Sequence, residues 1–209
     1  MKLVSIDVES CGLAGEHDIL EFGAVLDDLN NPLALEDLPI FHCYFLQESY
    51  HGSPFALSMH PTIFRRIADR EPGYTYVNPM KFGHMFKKFL IQNGYEEEQQ
   101  LIRINAAGKC FGTSDLPALW AKTDIAKHVR IRKKVLDPGI LYLERGDESL
   151  PGLSECKKRA GLDETVAHNA VDDAMDVVRL LRKKLLFDIG APFFQVTMEA
   201  IVKADMERT

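Results

Sequence analysis

Apolar residues fall in short strand-like runs over the first fifth of the chain and at helical spacing over much of the rest. Residues 2–8, with Leu3, Val4 and Ile6, read as a first strand. DILEFGAVLDD (18–28) reads as a second strand and IFHCYFL (40–46) as a third. The links between them are short, as antiparallel neighbours require. A stretch rich in Gly, Ser, His and Pro (47–54) reads as a loop, followed by helices near 62–70 and 79–93. LIRINAA (101–107) predicts a fourth strand. SDLPALWAKTDIAK opens with a capping-type Ser114 and an early proline, and predicts a helix with Trp120 in the core. KVLDP (134–138) predicts a fifth strand, 152–162 a short helix with a glycine stop, and about 169–187 a long helix. A last helix, near 193–206, carries Phe194, Met198, Ile201 and Val202 on one side. Three strands followed by alternating strands and helices predict an α/β domain with a mixed sheet.

Composition narrows the class. With 209 residues, 46% hydrophobic and 27% charged, the chain has material for one sizeable domain with a real core. A net charge of −6 argues against a tight nonspecific duplex binder. It leaves room for an enzyme that holds phosphate through bound cations, which invert the local charge. No apolar run is long enough for a bilayer, so no membrane partner is expected. Met1 leads directly into a strand pattern, which predicts no signal peptide and a cytoplasmic location. Cys11, Cys43, Cys110 and Cys156 are scattered without a CxxC pair, and read as free thiols.

The acids carry the chemistry. In SIDVESCGL, Asp7 and Glu9 are two apart in a strand and therefore share a face. Like charges so placed repel unless a proton or a cation intervenes, and oxygen ligands of this kind suit magnesium or manganese. A solvated strand end is the plain alternative for a lone Asp-x-Glu. In the long helix, Asp172 lines up with Asp176, Arg179 and Lys183, a pattern that predicts a solvated charged stripe. Asp173 lines up instead with Ala170, Val177, Leu180 and Leu181, toward the apolar side, where an acid needs a partner. His168 lies in the lead-in to that helix, and an imidazole is the side chain suited to proton transfer near neutrality. Asp115 starts the helix after the fourth strand, where acids are also common as capping partners.

Together, SIDVESCGL, GKCFGTSDLPAL and HNAVDDA resemble the three motifs of the DnaQ-like (DEDDh) 3′→5′ exonucleases, in the same order. SPFALSMHP sits where relatives carry a Pro-Ala helix over the site, and VLDPGIL resembles the strand before the third motif. Ser10 and Cys11 stand where two threonines are common, Cys110 where Asn is common, and Ser114 where an aromatic is common. These departures touch the nucleotide pocket rather than the acids.

The resemblance implies a ribonuclease H-like domain over residues 1–187: a mixed five-stranded sheet in the order 3-2-1-4-5, strand 2 antiparallel, flanked by helices. Residues 188–209 are expected to form a helical extension packed on the same domain. It implies two divalent cations, Mg2+ or Mn2+, held by Asp7, Glu9, Asp115 and Asp173, with His168 as general base. The expected reaction releases nucleoside 5′-monophosphates from the 3′ ends of single-stranded DNA or RNA. Backbone amides of Ser10, Cys11 and Gly12 are expected to hold the terminal nucleotide, with Leu13 wedged against its base; Phe111 and the Met59–His60 segment fit either walls of that pocket or ordinary packing. The basic run KHVRIRKK (127–134) fits either a path for a single strand or a solvated loop before a strand. A homodimer through the C-terminal stretch and a polymerase partner remain open. So does a catalytically inactive nucleic-acid-binding or partner-docking module of the same fold, although all four acids and the histidine are present. A phosphatase of another acid-rich fold fits the His168–Asp173 spacing less well.

Overall fold

The computed structural model describes residues 1–12 and 17–187. Along the chain run β1 (Lys2–Ser10), β2 (Ile19–Asp28), β3 (Ile40–Phe45), α1 (Pro54–Met59), α2 (Pro61–Asp69), β4 (Tyr76–Val77) and α3 (Pro79–Gln92). Then come β5 (Glu97–Glu98), β6 (Leu101–Ile104), β7 (Ala106–Ala107), α4 (Asp115–Lys122), β8 (Val129–Ile131), α5 (Pro138–Leu141), α6 (Leu153–Arg159) and α7 (Ala170–Arg182). The helical turns of α7 continue, more loosely wound, over Lys183–Phe187. Leu13, the expected last helix and the expected extension (188–209) lie outside the described residues.

Strand β1 is central. It pairs antiparallel with β2, which pairs antiparallel with β3; on its other side β1 pairs parallel with β7. β6 pairs parallel with β8. The predicted fourth strand is thus broken into β6 and β7 at Asn105, whose carbonyl still accepts the Val4 amide at 2.8 Å. Read across that break, the order is the expected 3-2-1-4-5 with the second strand antiparallel, extended at the edge by β4 beside β3.

The fifth strand begins earlier than expected. β8 is Val129–Ile131, and the predicted 134–138 segment contributes only a bridge between Leu136 and Ala107. Val129 and Ile131 alternate with exposed Arg130, a strand pattern hidden inside the basic run. The basic run is therefore in part an edge strand rather than a loop.

The pleat of β1 sorts its residues between two layers. Val4, Ile6 and Val8 pack with Phe22, Phe82 and Phe86 in the main core, beneath α3. Leu3 faces the opposite layer, where it packs with Val177 and Leu181 of α7. Ser5, Asp7 and Glu9 follow Leu3 on that face. Among the described residues no helix is long and apolar enough to cross a membrane.

Candidate metal centre and cleft

Three features place the acids. β1 carries Asp7 and Glu9 on its α7 face and is bulged between Glu9 and Ser10. Directly opposite Asp7 on β2 stands Gly23. A Cβ there would lie 2.3 Å from the Ala170 carbonyl carbon, so only glycine lets the first turn of α7 rest against the sheet at this level. Asn169 caps α7 by accepting the Asp172 amide at 2.9 Å, and that register points Asp173 inward. Carboxylate oxygens of Asp7, Glu9 and Asp173 all lie within 4.8 Å of one another. Asp7 and Glu9 are half-buried, Asp173 is buried, and one oxygen of Asp173, Oδ1, is buried without a hydrogen-bond partner.

Asp115 arrives from another direction. The loop before α4 turns at Cys110, whose φ of 55° lies in the left-handed region. Its amide donates to Asp137 Oδ2 at 2.9 Å, and its carbonyl accepts from the amides of Thr113 and Ser114 at 3.0 Å. Asp137 also caps α5 through the Gly139 amide. The carboxylate of Asp137 therefore shapes the turn that delivers Asp115, a role that the VLDPGIL pattern alone does not reveal. Asp115 stands outside the tight group of three but is the strongest acidic influence on Asp7.

Burial and mutual repulsion dominate the electrostatics of these acids. Burial, then the carboxylates of Asp115, Glu9, Asp173 and Glu21, hold Asp7 well above the usual carboxylate range. Burial and then Asp173, Glu21 and Asp115 push Glu9 up to about 8. Burial raises Asp115 to about 7. It raises Asp173 to about 6 against the opposing effect of nearby His168. A cluster of oxygen donors that repel one another, one of them buried and unpartnered, fits hard divalent cations.

Beside the acids opens a cleft of about 630 Å³, lined by Val8, Glu9, Ser10, Gly12, His17, Ser53, Phe55, Ala56, Met59, His60, Ser114, Asp115 and Ala118. Among these described residues none is lysine or arginine. Helix α1, capped by Ser53, presents Phe55 (74% exposed) and Met59 one turn later on the same face. It occupies the stretch read as the Pro-Ala helix.

The expected site residues have separate fates. Ser10 and Gly12 line the cleft. Cys11 is fully buried against Leu20, Tyr44 and Ile63, and its amide already donates to the Asp18 carbonyl at 2.8 Å. Phe111 is fully buried in the main core rather than in the cleft wall. Its aromatic character marks a nucleotide wall and a core residue equally well. His168 is exposed, with a left-handed φ of 52°, close enough to influence Asp173 and His60. His60 is buried at the α1–α2 junction, with Nε2 3.6 Å from Glu9 Oε2. Two readings outside the site are corrected. Trp120 is 52% exposed, because Leu116, Ala118 and Leu119 take the inner face of α4. Asp176 is buried between Lys157 and Arg179 instead of solvated.

Neither a family model nor a curated protein sequence matches the chain. Solved structures do. The cell-death related nuclease CRN-4 is 13% identical at a TM-score of 0.56; the match covers 90% of this chain and 64% of that one, so the chain spans less than two thirds of CRN-4. The nuclease domain of 3′hExo, a DEDDh family member bound to rAMP, is 19% identical at a TM-score of 0.59, covering 88% of this chain and 91% of that one. Pop2p of S. pombe, in a form with Mg2+ and Mn2+ bound, is 15% identical at a TM-score of 0.55, covering 89% and 84%. At these identities the likeness is one of architecture. The chain has the ribonuclease H-like fold of the DEDDh-type 3′-exonucleases.

Proposed function

We propose that this chain is a divalent-cation-dependent 3′→5′ exonuclease that hydrolyses single-stranded nucleic acid to nucleoside 5′-monophosphates. One observation carries the reading: Asp7 and Glu9 of β1 meet Asp173 of the distant helix α7 within 4.8 Å, in a half-buried to buried, mutually repelling group beside an open cleft. Asp7, Glu9 and Asp173 would hold two cations, Mg2+ or Mn2+, with Asp115 completing the set. Such ions lower the pKa of a water and offset the negative charge that builds up on a phosphodiester under attack.

The chain's own residues do the rest. His168 takes the proton of the attacking water as its oxygen bonds to phosphorus. The bond from phosphorus to the 3′ oxygen breaks, and that oxygen is protonated from solvent. Amides near Ser10 and Gly12 hold the terminal nucleotide, and the exposed ring of Phe55 with Met59 gives its base an apolar face. Bases of any identity can stack there, so sequence-tolerant cleavage follows.

The test is a time course on 3′-blocked and unblocked DNA and RNA strands, with and without Mg2+ or Mn2+, resolving the products. A ladder of shortened strands from unblocked ends only, dependent on the metal, is expected. Internal cutting or metal-independent cleavage would sink the reading. Oligonucleotide binding without any cleavage would favour the inactive module of the same fold.

A further inference from the structure

Glu21 is an acid that this mechanism does not use. It lies on β2 directly opposite Glu9, only 2% exposed, on the side of the sheet that faces α7. A buried carboxylate needs partners, and Glu21 has two. One oxygen, Oε1, meets His42 Nε2 of β3 at 2.6 Å. The other, Oε2, accepts the backbone amide of Ala170 at 3.2 Å. Ala170 is the first residue of α7, where amides lack helical partners and a negative group is favoured by the helix dipole. The His42 ring is itself fixed edge-on against Tyr44 and Tyr74.

This contact falls two residues after His168. The other flank of the same segment is also pinned: buried Lys157 of α6 bonds both the Thr165 carbonyl and Asp176 of α7. Between these anchors His168 stands exposed, in a left-handed conformation that a non-glycine residue keeps only when its surroundings hold it there. We infer that Glu21, braced by His42, is a positioning residue that sets the place of the His168 imidazole by fixing the start of α7. The inference rests on the reading of His168 as general base.

The experiment is a double-mutant cycle on the full chain, following initial rates on a 3′-hydroxyl oligonucleotide with Mn2+. Glu21→Ala is expected to lower kcat by about 10–100-fold with KM within about twofold. Glu21→Gln, which keeps an acceptor for the Ala170 amide, is expected to restore most of that loss. In a His168→Ala background, Glu21→Ala should cost nothing further, because the group it positions is gone. His42→Phe, which keeps a ring against Tyr44 and Tyr74, carries the same comparison should Glu21→Ala melt without a cooperative transition. An equal loss in both backgrounds, or no loss in either, overturns the positioning role and leaves the nuclease reading standing. Full turnover in His168→Ala alone overturns the base assignment and the positioning role with it.

Discussion

The hydroxyl of Ser5 on β1 donates to the carbonyl of Ala174 on α7 at 2.8 Å, in a buried contact. Ser5 is two residues before Asp7, on the same face of the strand, and Ala174 directly follows Asp173. One hydrogen bond thus ties together the two elements whose acids must meet. Ser5→Ala is expected to cost about 0.5–1.5 kcal/mol of stability and to raise the Mn2+ concentration for half-maximal rate by about tenfold. Urea unfolding and a metal titration of the rate check the two halves separately.

Asp173 carries the orphaned oxygen of the site. Asp173→Asn keeps the shape and removes the charge. Cleavage should fall by at least about 100-fold, while the cation-free protein should melt no lower than wild type, since a buried repulsion has gone. A variant that cuts normally would remove Asp173 from the metal set.

The raised carboxylates make a signed prediction about pH. Glu9 at about 8, Asp115 at about 7 and Asp173 at about 6 all stand above their values in an unfolded chain, about 4. Between about pH 4 and pH 8 the folded state retains protons that the unfolded state has released, so these groups lower stability as pH rises through that window. Cations binding the ionised set restore it. The rise in melting temperature on adding Mn2+ should therefore be larger at pH 8 than at pH 5.5, measured by thermal scans in matched buffers.

Phe55 is the most exposed aromatic in the cleft. If a base stacks on it, Phe55→Ala should weaken oligonucleotide binding by about 1–3 kcal/mol, with little change in the cation-free melting temperature. Fluorescence anisotropy with a labelled strand in Ca2+ would measure it. Unchanged affinity would return Phe55 to the ordinary surface.

Away from the cleft, Arg182 of α7 grips Asp27 of β2 with two hydrogen bonds, 2.8 and 2.6 Å, and also donates to the Leu33 carbonyl at 2.8 Å. Both side chains are buried. Arg182→Met strands the Asp27 charge and should destabilise the fold by about 3–5 kcal/mol. Under conditions where that variant is still folded, its kcat should match wild type, as followed by chemical denaturation and initial rates.

Local patterns settled much of this protein in advance. Alternation on β1 put Asp7 and Glu9 on one face, and helical spacing separated inward Asp173 from outward Asp172, because both depend only on backbone geometry. Long-range pairing was not local. Asp176 looked solvated from its spacing until Lys157, from another helix, buried it. Trp120 and Phe111 could each have gone to core or surface, since an aromatic's fate depends on which neighbours fill the inner face first. Cys11 is buried with its amide bonded to the Asp18 carbonyl, a long-range pairing its neighbours in sequence do not announce, and β8 lay hidden among charges that an edge strand tolerates. The linear chain determined which groups could do chemistry and which way their own elements aim them. Only the packing of α7 on Gly23, with Glu21 and Ser5 holding it there, decided that those groups share one point in space.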